Sequence, residues 1–460
     1  MSIHAEFSVR GRKVTVVGAA RSGVAAAHLL ARRGATVTLT DLQPAIPEED
    51  ALRAAGVALE LGGHDAATLT RADIVVLSPG VPSTEPAIQA AMAAGVHVIG
   101  ELELASRWLR GRVVAITGTK GKSTTTTLTG RMLEAGGHHV LVGGNIGHPL
   151  SAQVDESRPE TIHVVEASSF QLESVETFRP WISVLLNFSP DHLDRHGSLD
   201  EYAAAKSRIF VNQTAADWAV LNADDAAVAP MASAAAARKL MFSMSDSLPA
   251  GVLVRGDEIV RRTADGDQPL LPVSSIRLLG RHLIADVLAA SAVASIVGVD
   301  AAAMTATVEG FKGLEHALEP VADISGVLFV NDSKATNVEA ARRAIESFES
   351  IVVIMGGRFK GGDLGDLLAP LRQRNATVVS IGEARELIAS TFASAVPVRE
   401  AADMSAAVRM AFASAAPGAA VVLAPACASF DMFRDYAERG RIFKQEVARL
   451  KEEWNGVREQ

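Results

Sequence analysis

The chain has 460 residues, of which 48% are hydrophobic and 21% are charged. This length exceeds what one hydrophobic core usually supports, so we expect two or three domains, and the composition excludes a disordered protein. Acidic and basic residues are interspersed at a formal net charge of −9, which argues against a nucleic-acid-binding surface. The single cysteine, Cys427, and the lack of a leader-like or long apolar run predict a cytoplasmic protein without stable membrane insertion.

Short β-rich runs alternate with Ala- and Leu-rich helical stretches in the first hundred residues. The predicted strands are Val14–Val17, Val37–Thr40, Ile74–Leu77 and Val96–Ile99. Such alternation predicts a parallel sheet with crossover helices. We therefore expect a Rossmann-like domain at residues 1–101.

Two further series of the same kind follow. Their predicted strands are Val113–Thr117, Ile162–Glu166, Ile182–Asn187 and Trp218–Leu221, then Leu328–Asn331, Ile351–Met355, Val378–Ile381 and Ala420–Ala424. Between them, Gly- and Asp-punctuated segments from about Met241 to Val273 predict a small antiparallel appendage. The fold class is thus α/β with three domains, the second at 102–312 and the third, again Rossmann-like, at 313–460.

The strongest local motif is the run Thr117–Ser123, which reads TGTKGKS and lies between a predicted strand and a predicted helix. Glycines let backbone N–H groups surround phosphate oxygens, Lys122 can reach the β- and γ-phosphates, and Ser123 can ligate Mg²⁺. The first glycine of the common P-loop pattern is replaced by Ile116, and Gly118 serves instead. We interpret the central domain as a P-loop-type ATPase domain. The alternative is a glycine-rich turn with an exposed lysine.

A second glycine motif, Gly18–Gly23, follows the first predicted strand, and Asp41 ends the next one. A dinucleotide fingerprint requires glycine where Ala20 stands, which weakens a dehydrogenase interpretation. Two interpretations stay open: a diphosphate held at this helix N-terminus, or a structural turn. Ser78–Val81 lies at another strand end, where open α/β sheets bind ligands, although an ordinary Pro-Gly turn also explains it.

Polar side chains also follow two strands of the central domain. Glu166 ends one strand and can serve Mg²⁺, and the cluster Asn187–His196 follows the next. Taken alone, His192 is an ordinary structural histidine, and Lys206, in a helical stretch, is by default a solvated surface lysine.

The last domain carries polar loops after three predicted strands. They are Asn331–Asn337, Gly356–Asp363 and Pro425–Asp431. Carboxyl ends of parallel strands converge, so the loops can form one site for a zwitterion. Each loop also has a purely structural explanation, such as Ser429 acting as a helix N-cap. Cys427 is interpreted as a small packed residue.

These motifs together resemble the Mur ligases of peptidoglycan synthesis. The resemblance rests on Gly118–Ser123, Gly143–Gly147, Glu166–Leu172, Asp191–Asp194 and Asn331–Asn337. The roles that it implies extend over all three domains. Within that family, the runs SSFQL, DSKATN and PACAS are similar to the members that add D-glutamate.

The resemblance implies an ATP- and Mg²⁺-dependent ligase that joins D-glutamate to UDP-N-acetylmuramoyl-L-alanine through an acyl phosphate, forming ADP. We also expect a monomer. The edge of the first domain would bind the uridine diphosphate through Ala20, Arg21, Ser22, Asp41, Ser78, Pro79 and Gly80. ATP phosphates would be bound by Gly118, Thr119, Lys120, Gly121, Lys122, Ser123 and Thr124.

The remaining implied roles concern the metal, the acceptor and the amino acid. Mg²⁺ would be held by Ser123, Glu166, His192 and a carbamylated Lys206, whose anionic oxygens suit a hard cation. Asn145 and Ser168 would place the muramoyl substrate. D-glutamate would be received by Thr336, Lys360, Ser429 and Phe430, while Asp332 and Lys334 would face the nucleotide. The implied catalytic residues are Lys122, His192, Lys206 and Lys334.

Two positions depart from the family pattern near ATP. Leu283 stands where an asparagine is usual, and Ala317 stands where an arginine is usual. Losing one charge-assisted phosphate contact costs roughly 1.5 to 3 kcal/mol, unless Arg281 or Arg358 substitutes for it. The alternative function is therefore a UDP-muramoyl-peptide-binding protein of the same fold with weak or lost ATP use. A Mur-type ligase for another amino acid or a folate-like acceptor is a further alternative, against which the PACAS run argues.

Overall fold

The computed structural model describes residues 7–191, 193–277 and 283–458. These residues form two compact units. One unit comprises the chain up to Ile276 together with Ile284–Glu309, and the other comprises the remaining residues. None of the described helices is both long and apolar enough to cross a membrane.

The first unit begins with a parallel sheet. Its strands are β1 Lys13–Val17, β2 Thr36–Asp41, β3 Ala58–Leu61, β4 Ile74–Leu77 and β5 His97–Gly100, in the order β3-β2-β1-β4-β5. Its helices are α1 Arg21–Arg32, α2 Glu49–Ala54, α3 Ala66–Thr70, α4 Pro86–Ala93 and α5 Glu101–Ser106. The strand order reverses between β1 and β4, which is where open parallel sheets bind ligands. Strand β3 was not predicted. It lies at the sheet edge, where none of its side chains is fully buried, and it therefore has no apolar run.

The same unit contains a larger sheet. Its strands are β6 Arg112–Thr117, β7 Val140–Gly144, β8 Ile162–Glu166, β9 Ile182–Leu185, β10 Trp218–Asn222, β11 Arg238–Ser243, β12 Gly251–Arg255, β13 Glu258–Thr263 and β14 Gly266–Pro272. Their order in the described chain is β14-β13-β12-β11-β10-β9-β6-β8-β7. The predicted antiparallel strands β12 to β14 are present, and they extend the edge of this sheet because β12 pairs with β11 in parallel.

The helices of this part flank the strands. They are α6 Lys122–Ala135, α7 Leu150–Gln153, α8 Ser169–Leu172, α9 Leu193–His196, α10 Leu199–Ser207, α11 Val228–Met231, α12 Leu283–Val297 and α13 Ala301–Gly310. Strand β6 has β8 on one side and β9 on the other. The loops after β6, β8 and β9 therefore lie side by side.

The second unit is a six-stranded α/β domain within the residues that the structure describes. Its strands are β15 Glu319–Ile324, β16 Val327–Asn331, β17 Ile351–Gly356, β18 Thr377–Ile381, β19 Val398–Glu400 and β20 Ala420–Leu423, in the order β15-β16-β20-β17-β18-β19. Its helices are α14 Val338–Glu346, α15 Leu368–Gln373, α16 Arg385–Phe392, α17 Met404–Ser414 and α18 Tyr436–Arg458. Alternate residues of β17 pack into separate apolar clusters on the two faces, as a doubly covered sheet requires.

Three neighbouring strands of this domain carry the predicted polar loops. Strand β20 pairs in parallel with β16 on one side and with β17 on the other. The convergence of their carboxyl ends is therefore confirmed. The edge strands β15 and β19 were not predicted.

Candidate active site

The loop between β6 and α6 has the geometry of a phosphate-binding turn. Gly118 and Gly121 have φ of +153° and +81°, and a Cβ on Gly121 would lie 2.2 Å from Asp286 Oδ1. Both positions therefore require glycine. Lys122 Nζ donates to the carbonyl oxygens of Gly118 and Thr119 at 3.1 and 2.9 Å. The lysine is thus held over the loop at the N-terminus of α6, with Ser123 and Thr124 in the first helical turn.

Asn187 fastens this loop from the neighbouring strand end, a role that the sequence did not predict. Its Oδ1 accepts hydrogen bonds from the backbone N–H groups of Thr119 and Lys120 at 3.1 and 2.9 Å. Its Nδ2 donates to the Lys120 carbonyl at 3.0 Å. The available signal was a polar residue at the end of a strand that pairs with β6.

We expect Asn187→Ala to raise the KM for ATP about tenfold or more. The substitution removes the acceptor of the Lys120 N–H, whereas the Thr119 N–H keeps its second acceptor, the Asn187 carbonyl, at 3.1 Å. The lost bond costs about 1–3 kcal/mol in loop order. Steady-state kinetics with varied ATP measure this effect. Asn212→Ala is the matched control, because the Asn212 Nδ2 likewise donates to backbone carbonyl groups, those of Glu176 and Phe178, which lie away from the loop. Equal effects of both substitutions would contradict the assigned role.

Lys206 is buried, which corrects the default interpretation of a solvated surface lysine. Its side chain in α10 is 1% exposed, and its Nζ donates to the Gly118 carbonyl at 2.8 Å. The ring of Tyr202 lies 4.5 Å from the same nitrogen. Burial, together with the positive charge of Lys122, lowers the pKa of Lys206 to about 6. The structure therefore brings a predominantly neutral amine against the phosphate loop.

Glu166 presents an unsatisfied carboxylate oxygen in the same region. The residue is 1% exposed, and its Oε1 accepts a hydrogen bond from Asn145 Nδ2 at 2.7 Å. Its buried Oε2 has no hydrogen-bond partner in the described part of the chain. A buried anionic oxygen of this kind fits a hard cation such as Mg²⁺.

The complete metal set remains a prediction. His192 lies outside the described residues, so its position is not part of the structure. Over the residues that are described, no group of three His, Cys, Asp or Glu side chains is arranged for a metal. The set implied by the sequence draws instead on Ser123, Glu166, His192 and modified Lys206.

The predicted diphosphate edge of the first sheet brings two loops together. Ser78 Oγ donates to the Gly18 carbonyl at 2.8 Å, and a Cβ on Gly18 would lie 2.8 Å from Val81. Asp41 Oδ2 accepts a hydrogen bond from Ala19 N at 2.6 Å, so this carboxylate orders the loop. Ala20 occupies the N-cap position of α1, without a side-chain cap, and exposed Arg21 and half-buried Ser22 follow it.

Two arginines connect this edge to the larger sheet of the same unit. Arg21 Nη1 donates to the Gly147 carbonyl at 3.0 Å. Arg195, which was not predicted, donates to the carbonyls of Pro79 and Gly80 at 3.3 Å each. These bonds place the predicted diphosphate loops beside the elements that carry the residues predicted to bind the muramoyl substrate. Ser168, one of these, forms a capping box with Gln171 at the start of α8.

The three polar loops of the second unit meet through backbone hydrogen bonds. Ala426 N donates to the Ala335 carbonyl, and Gly356 N donates to the Pro425 carbonyl, both at 2.9 Å. The sequence-predicted residues on these loops therefore belong to one surface region. Within it, Thr336 is half-buried, Ser429 is buried, and Lys334, Lys360 and Phe430 are exposed.

Two details of this region differ from the sequence interpretation or extend it. The alternative in which Ser429 is a helix N-cap is wrong, because the next helix begins at Tyr436. Asp332 is 9% exposed, and its Oδ1 accepts a hydrogen bond from Leu318 N at 3.2 Å. Burial raises the pKa of Asp332 to about 7. Cys427 is fully buried, in agreement with a packed residue.

Neither proposed substitute for the absent arginine at Ala317 gains support. Arg358 pairs with exposed Glu383 through hydrogen bonds of 3.1 and 2.9 Å. Arg281 lies outside the described residues. The two departures from the family pattern therefore stay without an identified compensation.

These features define a three-domain α/β protein with a phosphate-binding loop and converging ligand loops. Family models match along the chain: the Mur ligase MurD-like N-terminal domain at residues 12–100, the Mur ligase middle domain at 116–294, and the Mur ligase glutamate ligase domain at 318–427. The chain belongs to the Mur ligase family.

Relatives of known name extend over nearly the whole chain. UDP-N-acetylmuramoylalanine–D-glutamate ligase of Acidobacterium capsulatum is 47% identical to this chain, and the alignment covers 96% of this chain and 97% of the relative. The protein of that name from Geobacter metallireducens is 45% identical to this chain, and the alignment covers 96% of this chain and 99% of the relative.

Solved structures confirm the three-domain fold. UDP-N-acetylmuramate-alanine ligase from Thermotoga maritima matches with a TM-score of 0.60 at 19% identity, covering 96% of this chain and all of that one (100%). A pseudomurein peptide ligase type C from Methanothermus fervidus matches with a TM-score of 0.59 at 17% identity and the same coverage, 96% and 100%.

Proposed function

We propose that this chain ligates D-glutamate to UDP-N-acetylmuramoyl-L-alanine, converting ATP to ADP and phosphate in peptidoglycan precursor synthesis. The observation that carries the proposal is full-length similarity, at 47% and 45% identity, to ligases named for that reaction. The geometry around Lys122, Glu166 and Lys206 supports it, because it joins a phosphate loop to an unsatisfied buried carboxylate and a neutral lysine.

The proposed reaction has two steps. An oxygen of the L-alanyl carboxylate attacks the γ-phosphorus of ATP, so that ADP leaves and an acyl phosphate forms. The neutral amine of D-glutamate then attacks the acyl carbon, phosphate leaves, and the nitrogen loses a proton. Lys122 stabilises the charge on the transferring phosphoryl group. Ser123, Glu166, His192 and carbamylated Lys206 would hold Mg²⁺, which neutralises phosphate charge when bound.

The substrates are assigned to the three proposed domains. Residues 1–101 would bind the uridine diphosphate through the loops ordered by Asp41 and Ser78. Residues 102–312 would bind ATP, with Asn145 and Ser168 directed to the muramoyl part. Residues 313–460 would bind D-glutamate through Thr336, Lys360, Ser429 and Phe430, with Asp332 and Lys334 on the nucleotide side. We also propose that the protein acts as a cytoplasmic monomer.

Phosphate release by the purified chain tests this function. The assay contains ATP, Mg²⁺ and UDP-N-acetylmuramoyl-L-alanine, with D-glutamate, L-glutamate, D-aspartate or no amino acid. We expect release only with D-glutamate, together with a product heavier by one glutamyl residue. Lys122→Met should remove the activity, whereas Lys239→Met, an exposed lysine of β11, should not. Retained binding of the UDP substrate without phosphate release would favour the binding-protein alternative and direct attention to Leu283 and Ala317.

A further inference from the structure

Arg439, a residue of helix α18, lies between the three polar loops that follow β16, β17 and β20. The side chain is fully buried, at 0% exposure. Its Nε donates to Ser333 Oγ and its Nη2 donates to the Ser333 carbonyl, both at 2.9 Å. Its Nη1 donates to the carbonyls of Cys427 at 3.1 Å and Gly356 at 3.4 Å. One guanidinium therefore binds the chain at the ends of three adjacent strands.

Two of the three loops, those after β17 and β20, also pack closely against each other. A Cβ on Gly357 would lie 2.1 Å from the Ala428 carbonyl oxygen and 3.3 Å from Arg439 Nη1. Arg358 and Ala428 exchange backbone hydrogen bonds of 2.9 Å. A planar fork of fixed N–H groups is suited to holding such loops in one arrangement.

We propose that Arg439 is a positioning residue that sets the relative placement of the three loops that receive the amino acid. This inference rests on the proposed function. Each bonded carbonyl or hydroxyl lies within four residues of a proposed D-glutamate contact: Ser333 near Thr336, Gly356 near Lys360, and Cys427 near Ser429. Because the guanidinium is buried and bonded to protein oxygens, it acts through these neighbours.

Substitution of Arg439 should change amino-acid recognition selectively. Lysine keeps the charge but loses the fork, so we expect Arg439→Lys to raise the KM for D-glutamate about tenfold or more. The KM for UDP-N-acetylmuramoyl-L-alanine should not change, because that substrate is assigned to the first unit. Arg441→Lys is the matched control, since Arg441 is exposed two residues further along α18. Arg439→Met is the more severe variant, and Arg439→Lys decides if the methionine variant does not fold.

Amide hydrogen exchange of the full chain gives a readout that does not need activity. In Arg439→Lys, residues 332–336, 357–362 and 425–429 should all exchange faster, and Arg441→Lys should leave them unchanged. An unchanged KM for D-glutamate overturns the proposal, as does faster exchange in only one loop or a parallel loss for both substrates. If the wild-type chain releases no phosphate, the proposed function fails by itself. The coupling of the loops is then decided by the exchange result.

Discussion

Replacing Lys206 with methionine should lower kcat about 10³-fold or more if Lys206 carries the proposed carbamate, because losing that metal ligand would remove several kcal/mol of transition-state stabilisation. The physical reason is that Lys206 is buried beside Lys122 and the Gly118 carbonyl, and its pKa is lowered to about 6. At neutral pH the amine is therefore mostly uncharged, and only an uncharged amine attacks CO₂. The proposed carbamate would supply the anionic oxygen that Mg²⁺ prefers and that an ammonium group cannot supply.

The proposed modification should appear as one CO₂ on Lys206 in carbon-13 NMR spectra after equilibration with labelled CO₂. Since the lysine pKa is depressed, the neutral fraction falls as the pH decreases through about 6, and labelling and activity should fall together. Lys239→Met, at an exposed lysine, is the control. Full activity of Lys206→Met, or activity indifferent to removal of CO₂, would refute the assignment.

Local pattern was sufficient to predict most of the central strands. Strands such as β4 and β17 are continuous apolar runs because both of their faces are covered, and such runs are visible in one sequence. The edge strand β3 and the three-residue strand β19 lack such a run, since none of their residues is fully buried. They exist because a neighbouring strand offers hydrogen bonds, which a local pattern does not contain.

The site shows the same division between local and tertiary information. The phosphate loop was predicted because its glycines, lysine and serine are consecutive. Burial of Lys206 and Arg439 was not predicted from the residues themselves, since a charged residue in a helix is by default solvated. Their burial results from contacts with segments far away in sequence, such as Gly118 for Lys206 and Ser333 for Arg439. The same holds for Asn187, whose amide closes on a loop 67 residues earlier.

Replacing Asp286 with asparagine should stabilise the protein strongly at neutral pH. Asp286 lies in the first turn of α12 and is 4% exposed, and its Oδ2 has no hydrogen-bond partner within the described ranges. Burial raises the pKa of this carboxyl to about 8, with Thr125 opposing the change. The pKa of Asp286 is thus higher in the folded state than in the unfolded state. The carboxyl therefore does not lower the free energy of unfolding below the unfolded-state pKa, and it lowers this free energy progressively as the pH rises toward 8. At pH 7 the linked cost is about 4 kcal/mol, and at about pH 5 it is less than half of that.

Thermal unfolding of wild type and Asp286→Asn at pH 5 and pH 7 measures this linkage. Asparagine has nearly the same shape and no charge, so the gain in unfolding temperature should be larger at pH 7 than at pH 5. Asp300→Asn is the matched control, because Asp300 is exposed and lies just before α13. The carboxyl also lies against Gly121, so an ionised Asp286 would repel the phosphates bound there. The KM for ATP should therefore rise above pH 8 in the wild type more steeply than in Asp286→Asn. A stability gain that is equal at both pH values would mean that Asp286 is not the neutral buried acid inferred from its surroundings.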